Sequence, residues 1–207
     1  MQAKLKNIAG IRNGYQFRGK VEPLDLEAGA NMPPGVVRVI QIKDVDDDWR
    51  LHSDNLPAVR LDRAPEKYLA QQGDVLFLSR GQRLLATTIT EPLHDTVATG
   101  YFFILRLKSD SVLPRYLAWA INQTPFQSVL RTFMKGTLQP LVSRKDIEDL
   151  CVEVPPLEVQ EAIVAIDDLR VREQHLLAAI RSKRSQLIQA ISVETARRQA
   201  QQKRTHS

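Results

Sequence analysis

Cysteine is almost absent from this chain: Cys151 is the single cysteine among 207 residues. One thiol cannot form an intramolecular disulfide, so the sequence excludes a scaffold held together by disulfides. Cys151 lies in the apolar stretch LCVEV, which predicts a strand, and we expect its side chain to be a small buried core residue. No candidate base is close to it in sequence, which disfavours a nucleophilic role.

Long hydrophobic runs are also lacking. The longest, such as YFFIL at 101–105, are far shorter than the roughly 20 residues of a membrane-spanning helix. The first ten residues, MQAKLKNIAG, have no sustained apolar segment of the kind that a secretory signal requires. With 43% hydrophobic and 26% charged residues, the composition is typical of a globular protein. We therefore expect a cytoplasmic protein with no membrane partner.

The motifs of common enzyme classes are missing. There is no GxxxxGK[ST] phosphate loop, and no HExxH or CxxC metal signature. The acidic run DVDDD at 44–48 lacks the ligand spacing of a calcium loop, and a solvated turn explains it better. We predict no cofactor, no bound metal and no catalytic residues. A nuclease with an unfamiliar site is the enzymatic alternative, and it would cleave DNA in the presence of Mg²⁺ without partners.

The excess of positive over negative charge in this chain is small. The net charge is +5, with nine Lys and Arg against six Asp and Glu in residues 157–207. A basic balance of this size is compatible with nucleic-acid binding but does not establish it.

Residues 1–156 carry the mixed pattern of a β-rich α+β domain. Strands are predicted at 36–42, 84–90 and 101–107, a buried strand flanked by two turns is predicted within 73–81, and helices are predicted at 114–123, 125–134 and 143–150. The last helix begins after Ser143 with Asp146 three residues on, which resembles a capping box in which Asp replaces the usual Glu. On the helix at 125–134 we expect Phe126, Val129, Leu130 and Phe133 to share one apolar face.

The rest of the chain, 157–207, predicts one long helix. Pro155 and Pro156 end the preceding strand, and no Gly or Pro follows from Leu157 to about Lys203. Such a helix would be roughly 70 Å long, more than the width of a 156-residue domain. We expect its apolar residues to pack on a partner helix with coiled-coil spacing. They are Ile163, Ile166, Leu169, Leu176, Leu177, Ile180, Leu187 and Ile191.

This apolar stripe is imperfect, because Glu173 and Lys183 fall on it. The alternative, a helical hairpin folded back on itself, has no turn residue to mark the reversal.

Four basic stretches that read as loops could contact DNA: 12–20, 79–83, 134–140 and 143–145. Arg and Lys neutralise phosphates, Arg can read guanine, and Gln can read adenine. A single basic stretch of this kind is more often a solvated turn. Four of them, each next to a predicted strand or helix, favour a DNA-binding role. The candidate residues are Arg12, Tyr15, Arg18, Lys20, Arg80, Gln82, Arg83, Lys135, Thr137, Gln139, Arg144 and Lys145.

The stretch KGTLQPLVSRKDIEDLCVEVPPLEVQEAIVAIDDL, residues 135–169, resembles the specificity subunits of type I restriction–modification systems. The matching residues are Gly136, Thr137, Gln139, Pro155, Pro156, Leu157, Glu158 and Gln160. GDVLFLSRGQRLLATTI at 73–89 and LKNIAGIRNGYQFRGK at 5–20 also resemble the strands and glycine turns of that family. Val159 departs from the pattern, since the family often has Glu before the Gln. The length departs too, because these subunits typically have two recognition domains and two long helices.

The resemblance implies a half-length, non-catalytic chain with a target recognition domain at 1–156 and a dimerisation and spacer helix with a basic tail at 157–207. Such a chain reads one half of a bipartite site in double-stranded DNA. Its partners are the methyltransferase subunit and, where the system has one, a restriction subunit. The long helix pairs antiparallel with a second one, in a homodimer or with a sister chain. The alternative is a protein–protein adaptor with a coiled-coil dimerisation helix.

Overall fold

The computed structural model describes residues 1–19, 22–24, 33–61, 66–81, 84–133 and 141–204, without the side chains of 196 and 198–204. Nine strands lie in these ranges: β1 Gln2–Lys4, β2 Ala9–Asn13, β3 Val36–Ile40, β4 Ala58–Arg60, β5 Val75–Leu78, β6 Ala86–Thr88, β7 Thr96–Ala98, β8 Phe102–Leu107 and β9 Cys151–Glu153. The α-helices are α1 Leu5–Ile8, α2 Pro114–Asn122, α3 Thr124–Phe133, α4 Arg144–Asp149 and α5 Leu157–Arg204. The fold is therefore α+β with a long C-terminal helix, as predicted.

The strands form three sheets. The largest has the order β2-β8-β5-β6, and all of its neighbours are antiparallel. A second sheet, in the order β4-β3-β7, pairs β3 antiparallel with β4 and parallel with β7. The third consists of β1 and β9, which brings the start of the chain beside the strand that precedes α5.

The main core lies between the large sheet and helices α1, α2, α3 and α4. It buries Leu117 and Ile121 of α2, and Leu130 of α3, against Phe77 of β5 and Leu105 of β8. Burial of this apolar surface is the main favourable term that holds the helices on the sheet. A second core cluster, on the other set of alternating positions, includes Leu76 of β5 and Ile104 of β8, so both faces of the sheet are covered.

Several element predictions are confirmed, but the strands are shorter than predicted, and β6 covers only 86–88 of the predicted 84–90. The strand at 36–42 ends at Ile40, because a 3-10 helix at Ile42–Asp44 follows. The side chain of Asp44 accepts a hydrogen bond of 2.7 Å from the backbone nitrogen of Gln41, which caps this turn.

One side-chain prediction is wrong. Cys151 is exposed, because alternate residues of a strand face opposite sides and Val152 is the one that enters the core. The four apolar residues predicted to share one face of α3 differ in burial: Phe126 and Leu130 are buried, whereas Val129 and Phe133 are 45% and 40% exposed. The buried stripe of α3 is therefore narrower than the apolar stripe in its sequence.

The chain divides into two compact units, Met1–Val164 and Ala165–Ser207. The first two turns of α5 belong to the first unit, whereas the sequence predicts a domain boundary between Pro156 and Leu157, at the start of the helix. Helix α5 runs without a break from Leu157 to Arg204, so the hairpin alternative is wrong. Within the ranges that the structure describes, no helix is both long and apolar enough to span a membrane.

Candidate nucleic-acid interface

Three segments meet where the strands of the large sheet end, at one side of the sheet. Because neighbouring strands are antiparallel in the order β2-β8-β5, the ends of β2 and β5 lie beside the beginning of β8. The segments that leave or enter the sheet here are 14–18, 79–81 and 99–101, and we call them together the strand-end surface. Two of the four basic stretches, 12–20 and 79–83, contribute to it.

Backbone contacts hold this surface together. The backbone nitrogens of Gly14 and Tyr15 donate to the carbonyl oxygens of Phe102, at 2.9 Å, and Ala98, at 2.7 Å. A side chain at Gly14 would not fit, since its Cβ would lie 2.3 Å from the carbonyl oxygen of Thr99. Glycine at this position therefore allows the segment after β2 to pack directly on the turn before β8.

Tyr101 presents a half-exposed ring beside Arg80. Its side chain is 49% exposed, and the Arg80 guanidinium carbon lies 6.0 Å from the ring centroid, within the range of a cation–π contact. The Tyr101 carbonyl oxygen accepts two hydrogen bonds from Ser79, one of 2.8 Å from the backbone nitrogen and one of 2.9 Å from the side-chain hydroxyl. An exposed aromatic residue is thus fixed next to an exposed cation. The sequence predicts a strand at 101–107 and does not identify Tyr101 as a surface residue, although the preceding Gly100 indicates a turn.

Gln16 and Arg18 extend the surface on the β2 side. Both side chains are exposed, and Gln16 Nε2 donates to the carbonyl oxygen of Gly100 at 3.3 Å. Arg18 lines a cleft of about 810 Å³ together with Arg60 and Glu22. Gln16 and Arg18 have long polar side chains, which can contact a bound ligand while their backbone stays folded.

A third basic stretch is joined to the surface through the backbone. Arg80 forms an isolated bridge with Leu141, and the nitrogen of Val142 donates to the carbonyl oxygen of Ser79 at 3.0 Å. Helix α4 follows, and Ser143 and Asp146 form the predicted capping box. On this helix Lys145 is exposed, while the side chain of Arg144 lies 2.6 Å from Glu148 in an i,i+4 ion pair.

Arg12 and Tyr15 occupy positions that favour structural roles. Arg12 Nη2 donates to the carbonyl oxygen of Leu69 at 2.9 Å, and burial lowers the pKa of this guanidinium. Tyr15 is only 6% exposed and packs against Phe17 and Tyr68, with ring centroids 4.7 and 5.1 Å away. The contacts of both residues therefore stabilise the backbone that carries the strand-end surface.

A buried carboxylate ties three strands of the sheet together. Asp74, just before β5, is 1% exposed and accepts two hydrogen bonds from Arg106 of β8, of 2.7 and 2.6 Å. Arg12 of β2 lies 3.6 Å from the same carboxylate. The hydrogen bonds to Asp74 raise the pKa of Arg106. A charge pair of this kind fixes the relative positions of β2, β5 and β8, whose ends carry the surface.

Six predicted contact residues lie outside the described ranges: Lys20, Gln82, Arg83, Lys135, Thr137 and Gln139. The acidic run at 44–48 forms a turn, as expected. Asp46 accepts hydrogen bonds from the backbone nitrogens of Asp48, at 2.9 Å, and Arg50, at 2.8 Å. Among the residues that the structure describes, no group of three or more His, Cys, Asp or Glu is placed to hold a metal ion.

Gln160 anchors the start of α5 within the first unit. It is fully buried, and its Oε1 accepts a hydrogen bond of 2.8 Å from the backbone nitrogen of Leu113. Its Nε2 donates to the carbonyl oxygens of Ser111, at 2.9 Å, and Pro155, at 2.8 Å. The bonds with Leu113 and Ser111 join the first turn of α5 to the loop before α2, and the bond with Pro155 joins it to the end of the segment before α5. This contact explains the Gln of the Pro-Pro-Leu-Glu-x-Gln stretch, whose role the sequence alone did not reveal.

Farther along, α5 exposes a row of large apolar side chains. Their exposed fractions are 66% for Ile166, 65% for Leu169, 55% for Leu176, 55% for Leu177, 63% for Ile180, 60% for Leu187 and 57% for Ile191. Ile163 is partly buried against the core of the first unit. An exposed apolar row of this length is typical of a surface that binds a partner.

Comparison with known proteins identifies the fold. No protein-family model matches the chain, and no curated protein matches it. Among solved structures, the HsdS subunit from Thermoanaerobacter tengcongensis matches with a TM-score of 0.55 and 19% identity, over 84% of this chain and 37% of that one. A chain from a study of complex assembly and conformational transition of the type I R-M system matches with a TM-score of 0.53 and 18% identity, over 84% and 38%.

The chain thus spans less than two-fifths of the length of these relatives. Over the matched part, its α+β domain and long helix have the fold of an HsdS specificity subunit of type I restriction–modification systems.

Proposed function

We propose that this chain is a non-catalytic DNA sequence-recognition subunit of a type I restriction–modification system. Its α+β domain reads one half of a bipartite site in double-stranded DNA. Helix α5 pairs with a second long helix, sets the distance between the half-sites, and positions the methyltransferase subunit and any restriction subunit. Catalysis belongs to those partners.

The observation that carries the proposal is the likeness in fold to HsdS subunits, which extends over 84% of the chain and includes the long helix.

The strand-end surface supports the DNA-reading part. It gathers Arg18, Arg80 and Gln16 at one edge of a sheet, with the ring of Tyr101 among them. Arg can bind guanine through two acceptors in the major groove, and Gln can bind adenine in the same way. Side chains of this kind on a backbone fixed by hydrogen bonds are suited to reading bases.

The exposed apolar row on α5 supports the pairing of helices. A single helix with half-exposed Leu and Ile side chains over several heptads is stabilised by a second helix that covers them.

The first test is a methylation map. The chain is expressed with the methyltransferase encoded beside it in a host that lacks DNA methylation, and modified bases are located by sequencing. We expect methylated adenine in a motif of two short half-sites separated by a fixed gap. Absence of any new motif, with both proteins expressed and a sister specificity chain also supplied, would contradict the proposal.

A second test separates DNA reading from an adaptor role. We expect Arg80→Ala to weaken binding of the chain with its methyltransferase to the mapped site by roughly tenfold, since a specific Arg contact contributes about 1–3 kcal/mol. Arg181→Ala, which removes the same charge from an exposed position on α5, is the matched control. The affinity is measured over a range of salt concentrations, because phosphate contacts make it fall with salt. Equal affinities of both variants at all salt concentrations would favour an adaptor.

A further inference from the structure

Tyr101 is an exposed aromatic residue at the start of a buried strand. Its side chain is 49% exposed, whereas Phe102 and Phe103, which follow it in β8, are 1% and 7% exposed. Tyr is enriched at binding surfaces, because its ring supplies apolar contact area while its hydroxyl stays in water. A ring held at the strand-end surface is thus placed to take part in binding.

The backbone around Tyr101 is fixed independently of its side chain. Its carbonyl oxygen accepts two hydrogen bonds from Ser79. The preceding Gly100 leaves room for the side chain of Gln16, whose Nε2 would lie 2.2 Å from a Cβ at that position. Because none of these contacts uses the Tyr101 ring, the ring can be replaced without removing them.

The guanidinium of Arg80 lies beside this ring. Its central carbon is 6.0 Å from the ring centroid, and the Arg80 side chain is exposed. Among the residues that the structure describes, the Arg80 guanidinium has no hydrogen bond or ion pair. Arg106 differs, because the carboxylate of Asp74 binds its guanidinium through two hydrogen bonds.

The kind of partner decides what an Arg side chain can still bind. A carboxylate occupies N–H donors, as Asp74 does for Arg106. An aromatic ring attracts the positive charge through its π face and leaves the donors for another molecule. A guanidinium has five such donors and no acceptor. Arg80 therefore presents its donors from a position that the Tyr101 ring stabilises.

We propose that Tyr101 is a positioning residue for Arg80. Its ring holds the guanidinium at the strand-end surface, where two N–H groups pair with O6 and N7 of one guanine in the major groove. This inference rests on the proposed DNA recognition, and it names one base of the half-site and the residue that orients its reader. An Arg side chain that is ordered before binding loses less conformational entropy on binding, and it has less freedom to reach acceptors on other bases.

Guanine is the base whose major-groove edge matches a guanidinium. Its N7 and O6 are two adjacent acceptors, whereas adenine presents an acceptor and a donor, thymine one acceptor, and cytosine a donor. Two parallel N–H bonds therefore fit guanine alone. A phosphate group also has two acceptors, but a contact there is the same at every base pair. Sequence preference thus distinguishes the two targets.

The test measures base preference with the chain in complex with its methyltransferase. The probes are duplexes that carry the motif methylated by the wild type, and duplexes in which one base pair of the half-site is replaced. For each position, the readout is the ratio of the affinity for the motif to the affinity for the replaced duplex. Both affinities come from one preparation, so the ratio does not depend on the fraction of a variant that is folded.

Changes at Arg80 should identify the guanine position. Arg80→Lys keeps the charge but lacks the paired N–H groups. We expect Arg80→Lys and Arg80→Ala to reduce the affinity ratio roughly tenfold at one guanine, the factor that a specific Arg contact supplies, and to leave the other positions unchanged.

Changes at Tyr101 should act at the same guanine. We expect Tyr101→Leu to reduce the ratio there about two- to fivefold, the size of an exposed cation–π contact. Tyr101→Phe keeps the ring and should retain the wild-type ratio. Combined with Arg80→Ala, Tyr101→Leu should have no further effect on the ratio, because no guanidinium remains to be held.

Three results would overturn the inference. The first is a Tyr101→Leu chain with the wild-type ratio at every position. The second is a loss at a position where Arg80→Ala has no effect, or an equal loss with and without Arg80, since Tyr101 would then contact DNA by itself. The third is an Arg80→Ala chain that binds all duplexes equally weakly relative to the wild type, with a reduced salt dependence, because this would place Arg80 on a phosphate.

These outcomes are distinguishable from those of the proposed function. A wild-type complex that methylates no motif and binds all duplexes alike would overturn the proposed function, and this inference with it. A wild-type complex that prefers its motif, with the same preference in Tyr101→Leu, would overturn this inference alone.

Discussion

At the residue scale, Gln160 shows how one buried amide can join two elements. Its side chain makes three hydrogen bonds, to the backbone of Leu113, Ser111 and Pro155, and no solvent reaches it. The fold is destabilised when a buried polar group loses its partner, because the donor or acceptor that remains is neither hydrogen-bonded nor solvated. The amide is thus a structural requirement at a position that helix patterns alone would treat as neutral.

We expect Gln160→Leu to lower the free energy of unfolding by roughly 2–4 kcal/mol, because it removes the side-chain partner of three partly buried backbone groups. Chemical denaturation at a fixed protein concentration measures the change. Gln189→Leu is the matched control, because Gln189 is exposed on the same helix and away from the heptad positions. Equal unfolding midpoints for the two variants would show that the Gln160 contacts contribute little.

Residue roles at the strand-end surface were harder to predict from the sequence than elements were. The basic stretch near glycines predicts that Arg12 contacts DNA, but its side chain contacts Asp74 and Leu69, which are distant in sequence. Tyr101 was missed, because its exposure depends on the turn between β7 and β8 rather than on its own neighbours in the chain. Local patterns contain no information on such long-range contacts.

At the element scale, prediction succeeded where the local signal was long or chemically specific. Helix α5 has 48 residues without Gly or Pro, and the capping box of α4 is defined by Ser143 and Asp146 alone. The strands β1, β4 and β7 were not predicted. Each has three residues, which is too short for an alternating pattern to be distinguished from a loop. They exist because partner strands elsewhere in the chain supply their hydrogen bonds.

Elements at the start of the chain are tied to α4 by one carboxylate. Asp149, the last residue of α4, lies 2.8 Å from the ammonium of Lys6 in α1 and 3.1 Å from that of Lys4 in β1. Hydrogen bonds and charge from Lys6 and Lys4 lower the pKa of Asp149 to about 2, from an ordinary 3.8. A lowered pKa means that this contact stabilises the fold while the carboxylate is ionised.

The contribution of Asp149 should therefore depend on pH with a defined sign. It is fully present above about pH 4, where the carboxylate is ionised in both the folded and the unfolded chain, and it is lost as the pH falls through about 2. We expect Asp149→Asn to be less stable than the wild type at pH 7, with a difference that shrinks from pH 4 to pH 2. Urea denaturation at several pH values measures it, and Asp110→Asn, at another exposed carboxylate, is the control. A difference that is constant with pH would contradict the assignment.

At the scale of the whole molecule, the two compact units divide inside a helix rather than at the prolines that precede it. Helix α5 begins at Leu157, but the first unit extends to Val164 and includes Gln160 and Ile163. The sequence indicates where the helix begins. It does not indicate how many of its turns complete the core, because this depends on contacts with the loop before α2 and with β9.

Truncation at two positions should separate these roles. We expect a chain ending at Val164 to fold and to be monomeric, since it keeps the Gln160 contacts and loses the exposed apolar row. A chain ending at Leu157 should be less stable by roughly 2–4 kcal/mol, because Leu113, Ser111 and Pro155 lose their partner at Gln160. Light scattering gives the mass, and chemical denaturation gives the stability. A dimer that persists in the chain ending at Val164 would place the self-association surface in the α+β domain. Equal stability of the two truncated chains would mean that the first turns of α5 are not part of the folded domain.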